Sequence, residues 1–351
     1  MGPQRYFTLI LAAALALVAG TYALAWWLQP LYGDLARIGS HAERDFGWNT
    51  PMRQFSPLAA SWGVNGYDRP VDVLVLGDSF ANLRPALQWQ NWLAAKTGWR
   101  ILTLDKHHVD IAKLVASPLY LASPPRVVIW NTIERDLIDE YTNNDGHCHT
   151  YVSPSWHDPL NFNTGKTITT TYLRPMGLDA INPGFARSWM WKRLLRNYPN
   201  IYRSDTLLLR LKRSDLFTNR CANTLLLYRK DLRKITWKEN DLTRIRCSFT
   251  AMAAGFEANG VTRFVTALAP DKSSAYRPWL VNPERLPESL LPELLNKSLV
   301  PDARFDISLS SAIAAGTRDV YMPDDTHWGS AGHHLVADAI LQLLLKNGLA
   351  K

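Results

Sequence analysis

Cysteine is scarce in this chain: Cys148, Cys221 and Cys247 are the three among 351 residues. They lack the close pairing that a zinc site needs. The pairing open to an oxidising compartment is a Cys221–Cys247 bridge with Cys148 left over. Internal repeats and low-complexity tracts are missing, and 47% hydrophobic content supplies a proper core, so a disordered tail or mini-protein is excluded. Acidic residues are the minority, 31 against 39 basic, for a net charge of +8. That balance suits anionic glycans, anionic lipid heads or nucleic acid, and its sign alone does not choose among them.

Charge is absent altogether from Tyr6 to Leu28, an apolar run long enough to span a bilayer as a helix. Arg5 precedes the run and the interfacial pair Trp26-Trp27 closes it, which orients the N-terminus inside and the body outside. A cleaved signal peptide is the alternative, with Ala23-Leu24-Ala25 as a small-x-small cleavage site. The run exceeds the usual length of such a peptide's apolar region and favours an uncleaved anchor. Either way the body is exported, and cytosolic DNA or RNA is not its partner. We therefore divide the chain into a signal anchor (1–29), a juxtamembrane connection (30–70) and a main domain (71–351) with an insert at about 141–240.

Val71-Asp72-Val73-Leu74-Val75-Leu76, ended by Gly77, reads as a buried parallel strand. A helix over Leu87–Lys96, a strand over Arg100–Leu104, a helix over Val109–Leu119 and a strand over Arg126–Trp130 follow. Val261–Leu268 supplies a fourth strand, after a helix from Leu242 to Ala258 that stops at Gly260. A short strand near Val320 and a helix over Ala331–Lys346 close the chain. This alternation predicts a mostly parallel, doubly wound α/β sheet. The insert breaks it, mixing Trp189, Trp191, Tyr198 and Tyr202 with Lys192, Arg193, Arg196, Arg203, Arg210, Lys212 and Arg213. These residues fit a sugar groove of stacking rings and guanidinium groups. They equally fit a largely helical amphipathic cap that buries Leu207-Leu208-Leu209.

Gly77-Asp78-Ser79-Phe80 sits where the first strand turns into a helix. Functional groups gather at the carboxyl ends of strands in open α/β sheets, and a helix N-terminus there offers N–H groups to negative charge. A serine needs a base. Asp324-Asp325-Thr326-His327-Trp328-Gly329 precedes the last helix and belongs on the same rim, so Ser79 and His327 read as nucleophile and general base. One of the two aspartates would orient the imidazole. Asn131, at the end of the third strand, is the candidate second oxyanion donor, or else it satisfies its own turn. Glu134 and Arg135 suggest an ion pair tying a loop, with Arg135 also open to substrate. Lys272 suits a substrate carboxylate or is a surface lysine. The pairs His107-His108 and His147/His149 lack partners at metal-site spacing.

Gly77-Asp78-Ser79 early and Asp-x-x-His late resemble the SGNH (GDSL-like) hydrolase superfamily, whose fold is a three-layer α/β/α sandwich. Asp325-Thr326-His327-Trp328, Trp130–Arg135 and Pro270-Asp271-Lys272 with Tyr276 are more similar to the alginate O-acetyltransferases of the AlgX and AlgJ type and related exopolysaccharide acetyltransferases. In those proteins the Asp-x-His motif precedes the serine, whereas here it follows. The second superfamily block normally brings an oxyanion glycine, and Leu104-Asp105-Lys106-His107-His108 has none.

The resemblance implies a single-pass bacterial inner-membrane protein whose periplasmic domain moves acetyl groups to hydroxyls of an exported polysaccharide through Ser79. Asn131, Arg135, Lys272 and Trp328 are the candidates for the oxyanion or substrate site, with Asn131 chosen by its position. The resemblance also implies a membrane-bound O-acyltransferase as donor partner and no metal or organic cofactor. Asp324 keeps the spacing of the broad superfamily and Asp325 that of the acetyltransferases; we favour Asp325. A carbohydrate esterase of the same fold and a non-catalytic polysaccharide-binding subunit are the alternatives.

Overall fold

The computed structural model describes residues 2–28, 32–63, 66–141, 169–172, 181–195, 198 and 204–350. They fall into two compact units. The first takes in Met1–Pro51, Leu173–Arg229 and Met322–Thr326; the second takes in Met52–Tyr172, Lys230–Tyr321 and His327–Lys351. The sheet unit thus opens at Met52, ahead of the expected residue 71, and part of the insert groups with the N-terminal segment. In chain order the strands are β1 (Met52–Phe55), β2 (Ser61–Trp62), β3 (Val73–Gly77), β4 (Ile101–Asp105), β5 (Val127–Ile133), β6 (Thr169–Tyr172), β7 (Thr206–Arg210), β8 (Thr224–Tyr228) and β9 (Arg263–Ala269).

In the second unit the central sheet has the order β2-β4-β3-β5-β9, with every neighbouring pair parallel. Strands β3, β5 and β9 are buried along their whole length, which is why their sequences are continuous apolar runs instead of alternating ones. The chain leaves β3 to form β4 on one side and then β5 on the other. The carboxyl end of β3 is therefore a switch point, where α/β sheets open a crevice. Leu74, Leu76, Leu102, Leu104, Val128, Trp130, Phe264 and Leu268 form one core with Leu242, Ile245, Phe249, Ala253 and Phe256 of helix Glu239–Glu257. These helix residues recur every three or four positions and make a single stripe. A separate group packs helix Ser330–Lys346 against Trp89–Thr97 and Phe305–Ala314.

Several expected boundaries shift for local reasons. The Val109–Leu119 helix is two, Ile111–Val115 and Pro118–Ala122, because Ser117 Oγ accepts the Tyr120 N–H at 3.3 Å and Pro118 starts a new first turn. Helix Glu239–Glu257 begins ahead of Leu242, where the Asp241 carboxylate accepts the Lys238 N–H at 2.9 Å. The chain then leaves the helix through Gly260 at φ +69°. The strand expected near Val320 is a single antiparallel bridge, Tyr321 to Trp328, closed by the Gly329 N–H on the Val320 carbonyl at 3.0 Å.

In the first unit, helix Pro3–Leu28 is long and apolar enough to cross a membrane. Its last turn is packed: Ala25 and Leu28 are buried with Ala42, Phe185 and Ala186. Trp27 meets Trp189 of helix Pro183–Leu195 edge-on at 6.1 Å, and the Arg44 guanidinium lies 4.6 Å from the Trp27 ring. The expectation of a largely helical insert does not hold for its described part. β7 and β8 pair as an antiparallel hairpin, and Leu207-Leu208-Leu209 is strand, with Leu209 buried and Leu208 exposed. A short apolar run has no period that separates strand from helix. The Cys221–Cys247 bridge is also overturned: Cys221 is free, while Cys247 is disulfide-bonded. Cys148, His147, His149, Arg196, Tyr202 and Arg203 lie outside the described residues.

Phe249 is 1% exposed at the centre of the larger core. Replacing it with alanine leaves a cavity, and urea unfolding is expected to show a loss of about 3–5 kcal/mol.

Candidate active site

The β3 strand ends at Gly77, and helix Ser79–Asn82 starts two residues later. A Cβ on Gly77 would lie 2.5 Å from the Ala81 Cβ, so only glycine lets the helix fold back this closely over the strand end. Asp78 caps the helix: its Oδ1 accepts the Phe80 N–H at 2.8 Å, while Oδ2 accepts the Ile133 N–H of β5 at 2.9 Å. The Asn82 amide donates to the Gly77 and Asp78 carbonyls, at 2.6 and 3.0 Å. Trp62 Nε1 and Gln90 Nε2 both donate to the Ala81 carbonyl, at 3.0 and 2.9 Å. The corner is thus held from every side. The Ser79 N–H, in the helix's first turn, donates to no group among the described residues.

Ser79 Oγ lies 2.9 Å from His327 Nε2. Sequence separation between the two is 248 residues, and the Tyr321–Trp328 bridge is what brings the histidine in. The imidazole packs on the Phe80 ring, centroids 4.8 Å apart, so the residue after the nucleophile supports the base. Among the described residues, the other histidine near the ring is His333, which is buried; desolvation, with His327 beside it, pushes its pKa down to about 3 and makes it a poor base.

The expected site residues part company here. Trp328 is not available to substrate: it is 0% exposed and packs edge-on against Phe80, Phe305 and His333, at 4.9, 5.7 and 5.8 Å. Its indole is a wall behind the base. Lys272 is neither a surface lysine nor open to a substrate carboxylate, because it is fully buried at the start of helix Lys272–Tyr276. Asn131 lies within β5, opposite Gly77, and does not end the strand. Its Nδ2 donates to the Ala267 carbonyl of β9 at 2.6 Å, leaving one amide hydrogen for any other acceptor.

Glu134 and Arg135 do not pair with each other. They enter a buried cluster with Asp231, Lys234 and Asp271, which ties the loops after β5 and β9 together. Arg135 Nη1 donates to Asp271 at 3.0 Å and to Asp231 at 3.3 Å. Lys234 Nζ lies 2.9 Å from Asp271 and 3.3 Å from Glu134. Glu134 also accepts from the Asp271 N–H, Ser274 and Ser289, at 2.9, 2.5 and 2.6 Å. Burial would raise its pKa, but Lys234 and these donors outweigh burial and hold it below the ordinary value. Three carboxylates face two cations, so one retained proton makes the cluster neutral. Burial first, then mutual repulsion, raises both aspartates, Asp271 to about 8. Asp231 is the better seat for the proton, since its Oδ2 has no partner among the described residues while both Asp271 oxygens accept from cations. The pair titrates as a unit.

Lys106 occupies the stretch where a glycine was expected and missing. It is buried, with Nζ 2.5 Å from both Thr132 Oγ1 and Glu140 Oε2 and 3.8 Å from Asp78 Oδ2. Its exposed neighbour His107 stands between Asp105 and Glu140, at 3.0 and 3.2 Å, and His108 lies 3.3 Å from Asp105. Asp78, Phe80 and Lys106 are thus the supporting residues that motif reading passed over.

Asp324 and Asp325 belong to the first unit and are both fully buried. Asp325 Oδ2 accepts the Asp34 N–H at 3.2 Å, and the Asp324 carbonyl accepts the Ala36 N–H at 3.1 Å. Gly33 passes so close that a Cβ there would lie 2.4 Å from the Asp324 carbonyl oxygen. Glu43 holds the same segment from its N–H side, accepting from Tyr32 and Gly33. No family model matches the chain, and no curated protein or solved structure matches it either.

Asp78→Asn removes one acceptor from two buried backbone donors. Thermal and urea unfolding are expected to show a loss of about 1–3 kcal/mol. The Asp231–Asp271 pair gives a pH signature. Unfolded, each aspartate releases its proton near the ordinary 3.8; folded, the pair keeps one up to about 8. Between those values the folded state binds more protons, so stability falls as pH rises, by at most about 1.4 kcal/mol per unit. Asp231→Asn keeps an oxygen for Arg135 and removes the excess charge, so urea unfolding across this window should lose that slope.

Proposed function

We propose that this chain is an extracytoplasmic O-acetyltransferase that acetylates hydroxyls of an exported polysaccharide through a Ser79 acyl-enzyme. The observation that carries this reading is the 2.9 Å approach of His327 Nε2 to a serine hydroxyl at the switch point of a parallel sheet. Resemblance to the SGNH superfamily and to the exopolysaccharide acetyltransferases supplies the reaction class.

In the first half-reaction His327 Nε2 takes the Ser79 proton as Oγ attacks the acetyl carbonyl of the donor. The carbonyl oxygen turns towards the unspent Ser79 N–H, the donor's leaving oxygen receives the proton from His327, and the C–O bond to the donor breaks. In the second half a sugar hydroxyl gives its proton to His327 and attacks the acetyl-serine. The proton then returns to Ser79 Oγ as the ester to the enzyme breaks. We assign Asp325 as the residue that orients the imidazole, two positions before it in the chain.

Helix Pro3–Leu28 is read as an uncleaved anchor in the bacterial inner membrane with the body in the periplasm. Burial of Ala25 and Leu28 supports this, because cleavage after Ala25 would split a packed turn. Acetyl-CoA stays in the cytoplasm, so the donor is handed over by a membrane-bound O-acyltransferase. An esterase would share the serine, the histidine and the acyl-enzyme, and differs only in letting water into the second half-reaction.

Purified protein is to be given a chromogenic acetyl ester with and without oligosaccharide acceptors. Acetylated sugar is the expected product; acetate alone, with every acceptor unmodified, supports the esterase instead. Ser79→Ala should lower the rate by roughly 10⁴-fold or more while the fold is kept. Unchanged turnover in that variant would remove Ser79 from the chemistry.

A further inference from the structure

Helix Pro183–Leu195 packs against the end of the apolar Pro3–Leu28 helix through Phe185, Ala186 and Trp189. Its remaining large apolar residues point away. Met190, Trp191 and Leu194 are 36%, 64% and 61% exposed. Arg187, Trp191 and Leu194 are spaced four and three apart and share one face, opposite the packed one. A soluble surface has no use for such a stripe. The helix carries Arg187, Lys192 and Arg193 and no acidic residue. Lys192 is turned inward, its Nζ 3.0 Å from the Ile38 carbonyl, and Arg193 lies 5.1 Å from the Trp189 ring, whereas Arg187 is exposed. With 13 residues the helix is too short to cross a bilayer.

We infer that helix Pro183–Leu195 lies in the headgroup layer of the bilayer that Pro3–Leu28 enters, forming a second membrane contact. Three observations choose lipid over a protein partner. The helix is packed onto the last turn of the apolar helix, so both reach the same membrane surface. Tryptophans cluster there, Trp27 and Trp189 in contact and Trp191 outward, as aromatic side chains do at that depth. Arg187 stands exposed on the same face as Trp191 and Leu194, a cation beside apolar side chains as on a helix lying on an anionic surface. The inference rests on reading Pro3–Leu28 as a retained anchor and is independent of the acetyl-transfer reading.

The test uses the full chain with Cys221→Ser, reconstituted into phosphatidylcholine–phosphatidylglycerol vesicles. A nitroxide is placed at Leu15→Cys, Trp191→Cys, Leu194→Cys or, as an exposed reference, Leu299→Cys. Collision with oxygen is compared with collision with a water-soluble nickel chelate. Labels at 191 and 194 are expected to favour oxygen several-fold over the label at 299, with the label at 15 favouring it most. If 15 is immersed while 191 and 194 match 299, the inference is overturned and the anchor stands. If 15 is itself open to the chelate, the anchor reading fails, and the inference with it. Labels at 191 and 194 that are shielded in native membranes but open in the purified vesicles would assign the face to a protein and overturn the lipid contact.

Discussion

Both oxygens of Asp78 are spent on backbone: one holds the Phe80 N–H, the other the Ile133 N–H at the end of the neighbouring strand. A carboxylate with two buried N–H donors cannot rotate without abandoning one, so the turn that carries Ser79 is fixed to the β5 end. Everything at the candidate site is referred to that point. Phe80 is aimed by the same turn and gives His327 its seat. Trp328 in turn closes on Phe80, so nucleophile, base and core share a single packed stack. Lys106 balances the buried carboxylate from below, at a position where a small residue would leave its charge uncompensated.

The Glu134–Arg135–Asp231–Lys234–Asp271 cluster serves the same rim from the other side. Five ionisable groups in a dry interior are costly to bury, and their mutual contacts offset that cost only as a set. Such a set tolerates one geometry and resists slippage of the loops that carry it. The Arg135 guanidinium also lies 5.9 Å from the Phe80 ring, so the cluster borders the stack that supports the base.

Much of this was legible in the sequence, for reasons particular to each part. Buried parallel strands announce themselves as unbroken apolar runs, and all four expected strands start within two residues of the observed ones. The approach of Ser79 and His327 could be read because one stands just past a strand end and the other just ahead of the last helix, each a residue type that does chemistry. Trp328 and Lys272 were misplaced because motif position says which residues accompany a site and nothing about depth. Glu134 and Arg135, adjacent in sequence, suggested a mutual pair, yet the tight turn Glu134–Asp136 sends them to different partners. The β7–β8 hairpin was missed since three consecutive leucines carry neither periodicity.

The path of the chain out of the apolar helix limits how far the aspartate turn can lie from it. Asp34, whose N–H holds the Asp325 carboxylate, stands six residues after Leu28. Six residues reach about 20 Å at full stretch. The aspartate turn just ahead of His327 is thereby confined to a shell one small-protein radius from the end of that helix. With that helix held in a bilayer, the turn would sweep a surface and not a volume, and any molecule confined to the same face would meet it at high local concentration.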